Sequence, residues 1–405
     1  MTEETIRQRV RDAIRGSLMA GAAGDALGYT VEFQSLGQIL AHYGPQGITQ
    51  FELDDRGKAL VSDDTQMTLF TANGLLMGMT RCAMRGIGSP LGYYTDGAYL
   101  DWYYTQTGKK KDHCLTPDFH YTWLRDLPEL AHRRAPGTTC MSACESMLRG
   151  EKPDNNSKGC GGIMRVAPMG LLAAALETLV GHHCFTDKEL AGQGALIARM
   201  THLHPLGYYP AALMTLLVAK LIPLTPDEAK RDMDRIVAHS LEVLMQLDEG
   251  EHEADKRLLI DLTHRAMQLA KDPNIPDRQA VQQLGEGWVA DEAWAVALYC
   301  AMRHPDSMHD AIIAAVNHDG DSDSTGAITG NIMGAIYGYE AIRRERLFCP
   351  EGREFAETIE LARIILALAD DIASGCCIGE YSEIDTPEKK QWFARYVEMQ
   401  PAGID

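Results

Sequence analysis

Residues 317–338 read NHDGDSDSTGAITGNIMGAIYG, an acidic cluster running into a glycine stripe. In the stripe, Gly326, Gly330, Gly334 and Gly338 recur every four positions, with apolar residues filling the gaps. That step keeps all four on one face of a helix. Glycine in a helix interior is less stable than alanine by about 1 kcal/mol, so four in register imply a face kept bare for close packing. A matching face lies at the other end of the chain. Residues 5–28 open as an amphipathic helix with Ile6, Val10, Ile14 and Leu18, then place Gly16, Ala20, Gly24 and Gly28 on one side. Two smooth helices from opposite ends of the sequence are expected side by side in the core.

Helical periodicity continues over 64–79, 138–149, 166–180, 187–202, 209–221, 226–247, 256–271, 289–302, 307–317 and 352–373, while strand signals are sparse. Breakers such as Pro45-Gln46-Gly47 and Pro153-Asp154-Asn155-Asn156 separate these segments. No repeat of fixed period and no Ser/Gly linker divides the chain. Residues 1–380 are therefore expected to form one all-α domain. Within it, 225–287 is richer in charge and reads as an acidic, solvent-facing helical hairpin; 381–405 reads as a loosely held tail.

Composition narrows the function. With 405 residues, 45% hydrophobic and 23% charged, the chain is neither disordered, collagen-like nor a repetitive coiled coil. Its net charge of −19 repels phosphate backbones and anionic lipid, so neither general nucleic-acid binding nor membrane binding is expected. Residues 1–12 lack the apolar core of a signal peptide, and the apolar run 169–175 falls short of the roughly 20 residues that cross a bilayer. Ten cysteines without C-x-x-C spacing imply free thiols and a reducing, cytoplasmic setting.

Two clusters could do chemistry. Ser62-Asp63-Asp64-Thr65 precedes one predicted helix, and Asp319-Gly320-Asp321-Ser322-Asp323-Ser324-Thr325 precedes the glycine-striped one. Ser, Asp and Thr cap helices, so one such cluster alone would ordinarily be structural. Capping uses one oxygen-bearing side chain and a first-turn carboxylate, whereas the second cluster holds three Asp in seven positions. Charges at that density call for a counter-ion, and hard divalent cations take about six oxygen ligands. A binuclear Mg²⁺ site fits Asp63, Asp64, Asp321 and Asp323 with the adjoining hydroxyls. It would also admit an anionic substrate to an acidic chain.

Other segments are less specific. Gly159-Cys160-Gly161-Gly162-Ile163-Met164-Arg165 lets backbone N–H groups approach a phosphate, with Arg165 adding charge, but a simple turn into the next helix fits as well. Thr201-His202-Leu203-His204-Pro205-Leu206-Gly207-Tyr208-Tyr209 carries planes suited to stacking a purine, and its His-x-His pair lacks the further ligands of a zinc site. No G-x-S-x-G, H-E-x-x-H or dinucleotide fingerprint is present. The D-D-x-x-D spacing of prenyl diphosphate chemistry fails at Met67.

Taken in order, GSLMAGAAGDALGYTVEF, VSDDTQMTL, GCGGIMRVAP, THLHPLGYY, VADEAWAVALYC and NHDGDSDSTGAITGNIMGAIYG resemble the signature stretches of the ADP-ribosylglycohydrolase family, the ADP-ribosyl-acceptor hydrolases. The resemblance runs from about residue 13 to 340 and implies a single compact all-α orthogonal bundle around two Mg²⁺ ions, for which Mn²⁺ can substitute. It makes Ser62, Asp63 and Asp64 metal ligands from one side, and Asp321, Asp323 and Ser324 from the other. Gly161, Gly162, Ile163 and Met164 would line the diphosphate and distal ribose, His202, Gly207 and Tyr208 would border the adenosine, and Glu32 would reach toward the scissile bond. An Asp that some relatives use as a base has no counterpart in Ala135-Pro136-Gly137-Thr138-Thr139. Proton handling then falls to Glu32, or to a water oriented by Asp64 or Asp323. The implied activity is hydrolysis of the glycosidic bond of an ADP-ribosyl group on a protein or small conjugate, releasing ADP-ribose. The alternative is a non-catalytic, ADP-ribose-binding or structural member. Acceptor and oligomeric state are left open.

Overall fold

A computed structural model describes residues 3–109 and 120–404. Residues 1–2, 110–119 (with Cys114) and 405, which fall inside the expected 1–380 and 381–405 segments, lie outside the described residues. Among the described residues there are eighteen α-helices and no strand; only isolated bridges form, at Ala59 with Ile359 and Gly159 with Val289. The all-α expectation holds.

The two bare faces meet. Helices Glu3–Tyr29 and Ser322–Tyr337 run antiparallel, with Gly16 against Gly334, Ala20 against Gly330, Gly24 against Gly326 and Gly28 against Ser322. A Cβ on Gly24 would overlap the carbonyl of Gly326, and one on Gly330 would overlap that of Ala20. Backbone therefore touches backbone, and no other residue fits at these positions. Ser17 Oγ donates across the seam to the Asn331 carbonyl at 2.9 Å. At the far end, Arg9 donates to the carbonyls of Ile336 and Leu224, satisfying an orphan acceptor at a helix C-terminus.

Helix 209–221 of the sequence reading starts earlier, as Pro205–Leu221, because His204 Nδ1 accepts the Leu206 N–H at 3.0 Å and Pro205 takes a first-turn position where no N–H is needed. The helix expected over 352–373 is broken. Ala59 N–H donates to the Thr358 carbonyl (2.9 Å) and Glu360 N–H to the Ala59 carbonyl (3.0 Å), so helix Phe355–Thr358 ends at an extended Ile359 before Ala362–Ser374 begins.

Two expectations for the periphery are corrected. Segment 225–287 is not a hairpin excursion. Helix Pro226–Gln246 packs on Pro205–Leu221 with Met233, Ile236, Val237, Leu241 and Leu244 buried, and Glu253–Lys271 packs on Ala290–Arg303, where Trp294 Nε1 donates to Thr263 Oγ1 at 3.0 Å. Apart from Lys256, whose buried Nζ donates to the Leu247 and Asp248 carbonyls, the charges lie toward the outer faces, an amphipathic arrangement that total charge conceals. Segment 381–405 is docked by helix Pro387–Tyr396: Trp392 Nε1 donates to Thr80 Oγ1 (2.9 Å), and Arg395 and Tyr396 both bond Asp371 (2.7 and 2.5 Å). Two buried aromatic rings provide the area that holds it. The stretch Cys160–Val180 is long and apolar enough, by length and composition, to cross a membrane, which the run 169–175 alone did not suggest; 72% of its apolar window is buried inside the fold.

The seam yields a paired prediction. Gly24→Ala drives a methyl into the Gly326 carbonyl and is expected to destabilise the protein by about 1–3 kcal/mol. Gly192, in helix Asp187–Arg199, has open space where its Cβ would lie, so Gly192→Ala is expected to stabilise by about 0.5–1 kcal/mol. Urea unfolding of the two variants checks both signs.

Candidate active site

The antiparallel seam brings the C-terminal end of Glu3–Tyr29 to the N-terminal end of Ser322–Tyr337, and the start of helix Asp63–Arg85 joins them there. Asp25 makes the junction. Fully buried, it accepts the Ser62 N–H at 2.9 Å, the Thr65 N–H at 3.0 Å and the Thr65 hydroxyl at 2.5 Å. One helix thus caps the backbone donors of another. In the sequence, Asp25 is marked only as a lone carboxylate within a run of small and apolar residues.

Capping accounts for part of the two acidic clusters. Ser62 Oγ accepts the Asp64 N–H at 3.1 Å, and Asp321 Oδ1 accepts the Ser324 N–H at 3.3 Å. Asp323 Oδ1 takes the same N–H at 2.9 Å, and Asp63 Oδ2 accepts from Gly137 N at 3.2 Å. Ser324 Oγ faces the Met164 sulfur at 4.0 Å and interacts with the Cys160 side chain. Asp64 Oδ1 and Glu32 Oε2, both buried, have no hydrogen-bond partner among the described residues. Glu32 also belongs closer to the centre than a group reaching in from outside. Its carboxylate and those of Asp321 and Asp323 offer oxygens that all lie within 4.8 Å of one another.

Burial, and then the charge of Asp323, push Asp25 up to about 7 and Glu32 up to about 9. The same two causes raise Asp63, Asp64 and Asp321 well above the usual carboxylate range. Bare carboxylate oxygens that repel one another, with hydroxyls alongside, are the donor set a hard divalent cation requires, so the residues present fit one.

The surroundings are less open than the sequence suggested. Ile163 and Met164 are buried, and their N–H groups donate to the Cys160 carbonyl at 2.9 and 3.2 Å; Gly162 is buried against Ala198 and Gly207, leaving the half-buried Gly161 as the accessible glycine of that turn. A Cβ on Gly161 would come within 2.8 Å of Cys140 Sγ and 3.0 Å of His202 Cε1. Arg165 does not reach toward a ligand. It is wholly buried over the Tyr99 ring (4.3 Å) and donates to Thr201 Oγ1 at 2.6 Å. Thr201 Oγ1 lies in turn 2.8 Å from His202 Nδ1. Burial and then Arg165 lower His202 to about 3, so its imidazole stays neutral and supports the Gly161 turn. Gly207 packs against the Ser157 carbonyl, and Tyr208, 1% exposed, lies against Tyr209 beneath Arg199; neither offers an open stacking face.

Two further residues went unread. Cys160 Sγ donates to Asp321 Oδ2 at 2.7 Å. Glu360 accepts from Val61 N (3.2 Å) and Arg134 (3.0 Å), and the Arg134 carbonyl accepts the Asp63 N–H at 3.0 Å, so the broken helix at 358–360 steadies the first acidic cluster. The loop lacking an acid passes beside it, with Ala135 in the left-handed region at φ 47°.

Fold and site define an all-α protein whose buried centre, built from two helix starts and a third helix end, gathers carboxylates that could hold a metal ion. The ADP-ribosylglycohydrolase family profile matches residues 6–376, and the chain belongs to that family. It is 27% identical over 337 residues to the ADP-ribosyl-[dinitrogen reductase] glycohydrolase of Rhodospirillum rubrum, covering 82% of this chain and 88% of that protein. It is 24% identical over 233 residues to ADP-ribosylhydrolase ARH3 of Bos taurus, covering 53% of this chain and 60% of that protein, and 26% identical over 237 residues to the Mus musculus ARH3, with 54% and 60% covered. The match thus spans under two thirds of these mammalian relatives' length. A solved structure titled ADP-ribosylglycohydrolase-related protein complex shares the fold, with a TM-score of 0.57 at 20% identity over 91% of this chain and 99% of that one.

The raised carboxyls give stability a definite pH sense. Folded Glu32, at about 9, holds its proton more tightly than an ordinary glutamate at 4.5, so its contribution is favourable below that window and is lost as pH rises through it. Without divalent cations, Glu32→Gln is therefore expected to raise Tm at about pH 8 and to give little gain at about pH 4. Mg²⁺ at the higher pH is expected to stabilise the wild type more than the variant. Thermal melts in EDTA and in Mg²⁺ check this.

Proposed function

We propose that this protein hydrolyses the glycosidic bond joining an ADP-ribosyl group to a protein or small-molecule acceptor, releasing ADP-ribose, and that it requires two divalent cations, Mg²⁺ with Mn²⁺ as substitute. The observation that carries the proposal is the crowding of Glu32, Asp321 and Asp323 within 4.8 Å while buried oxygens of Glu32 and Asp64 remain bare. Ser62, Asp63, Asp64, Asp321, Asp323 and Ser324 would hold the cations, joined by Glu32. Bound there, divalent cations supply charge neutralisation and Lewis-acid polarisation.

The protein's own residues do the rest. Asp25 and the glycine seam fix the two acidic helix starts before substrate arrives, so the ribose meets a rigid set of oxygens. Gly161 lets the diphosphate come close to the backbone, with His202 behind it as a neutral wall and the buried Gly162 shaping the turn beneath. Since 135–139 offers no carboxylate, Glu32 would take the proton of the attacking water through Oε2 once cation charge at the centre has ionised it, with Asp64 and Asp323 orienting that water. Protonation of the departing acceptor matters more for an oxygen or amide than for a guanidine, so linkage preference follows from this single acid–base group. Nine free cysteines among the described residues support the expected reducing, cytoplasmic setting.

Incubation with arginine-linked, serine-linked and small ADP-ribosyl substrates, in Mg²⁺ and then EDTA, is expected to release ADP-ribose only with the cation. Asp64→Ala and Asp323→Ala are each expected to lower kcat by at least about a hundredfold while circular dichroism stays native. Release unaffected by chelation defeats the metal-dependent mechanism. ADP-ribose binding without release from any substrate favours the non-catalytic alternative.

A further inference from the structure

One sulfur lies among the oxygens of the acidic centre. Cys160 Sγ donates to Asp321 Oδ2 at 2.7 Å, and the Ser324 side chain interacts with the same thiol. Both members of this pair are held by their backbones. Cys160 donates its N–H to the Trp288 carbonyl at 3.1 Å, and its own carbonyl accepts the Ile163 and Met164 N–H groups. Asp321 donates its N–H to the Glu286 carbonyl at 2.8 Å, and its Oδ1 accepts the Ser324 N–H at 3.3 Å, which leaves Oδ2 to the sulfur. Oxygens beside the pair are unsatisfied. Asp64, 3% exposed, has no hydrogen-bond partner for Oδ1 among the described residues, and its charge acts on the Cys160 thiol. Asp321 also offers an oxygen within 4.8 Å of those of Glu32 and Asp323. Among the described residues, Cys160 is the one thiol hydrogen-bonded to a carboxylate; Cys140, Cys184 and Cys376 donate to backbone carbonyls.

Sulfur changes which cation such a centre prefers. Mg²⁺ takes oxygen ligands and keeps several waters, whereas a thiolate selects Zn²⁺ and the cations that resemble it. Zinc bonds thiolate sulfur at about 2.3 Å and carboxylate oxygen at about 2.1 Å, so a tetrahedral pair of these donors stands about 3.6 Å apart. The 2.7 Å contact between Cys160 and Asp321 has to open by only about 0.9 Å to reach that separation. The cation replaces the thiol proton, which passes to solvent, and the sulfur lone pair forms the new bond. Tetrahedral zinc then has four positions where Mg²⁺ has six, so fewer are left for substrate and water.

We infer that Cys160 Sγ and Asp321 Oδ2 give the acidic centre a sulfur-and-oxygen corner that takes a thiophilic divalent cation of the zinc class in place of Mg²⁺, halting hydrolysis while it is bound. The inhibition rests on the hydrolase reading, but the corner is detected without turnover. Titrating the full-length protein with Co²⁺, a coloured stand-in for Zn²⁺, is expected to give a thiolate-to-cobalt charge-transfer band that saturates at about one equivalent. Cys160→Ser removes the band, whereas Cys184→Ser and Cys377→Ser, at the exposed thiols, keep it. In competition with Mn²⁺, followed by the electron paramagnetic resonance of the freed Mn²⁺, Zn²⁺ is expected to bind Cys160→Ser and Cys160→Ala at least about tenfold more weakly than the wild type. In turnover with Mg²⁺, the Zn²⁺ concentration that halves each variant's own rate rises by a similar factor. Absence of the band, a band that survives Cys160→Ser, or equal Zn²⁺ affinity in wild type and variants overturns the corner. A band that depends on Cys160, with no ADP-ribose released from any substrate, leaves the corner standing and defeats the hydrolase reading.

Discussion

The contact between the bare faces of Glu3–Tyr29 and Ser322–Tyr337 fixes the geometry of everything at the centre. Because Gly24 and Gly326 touch backbone to backbone, neither helix can slide or rotate without a collision, and the pairing of Gly28 with Ser322 follows from the same register. That register sets Asp25 and Glu32 beside Asp321 and Asp323. Asp25 then reaches the start of a third helix through Ser62 and Thr65. A packing constraint that looks purely structural is thus the reason several carboxylates share one small volume.

Those carboxylates work against the fold. Burial and repulsion raise the proton affinities of Asp25, Glu32, Asp63, Asp64 and Asp321, and one oxygen each of Glu32 and Asp64 receives no hydrogen bond among the described residues. A protein released from any need for the centre would gain by losing them. Their arrangement matches the strain expected of a functional site, offset by the dense apolar packing around it.

Much of the architecture was legible in local pattern. The four-residue glycine step predicted the central seam, and the Ser-Asp-Asp-Thr and Asp-Ser-Asp-Ser-Thr helix starts predicted the acidic convergence. What escaped depended on distant partners. The break at 358–360 exists because Ala59 offers its backbone, and nothing near Glu360 signals that. Arg165 looked like a phosphate ligand by position, yet it is held inward by Tyr99 and Thr201. Tyr208 looked like a stacking plane and is instead part of the core. The docked helix Pro387–Tyr396 was hidden for the same reason, since its anchors Thr80 and Asp371 lie elsewhere in the sequence.

The seam also joins two segments at opposite ends of the chain. Contacts of such long sequence separation carry a loop-closure penalty and form late in folding. During synthesis, the first helix leaves the ribosome with its glycine face uncovered until residues 322–337 emerge. The acidic centre is consequently assembled only in a nearly finished polypeptide, and a prematurely terminated product retains Ser62, Asp63 and Asp64 without Asp321 and Asp323 opposite them.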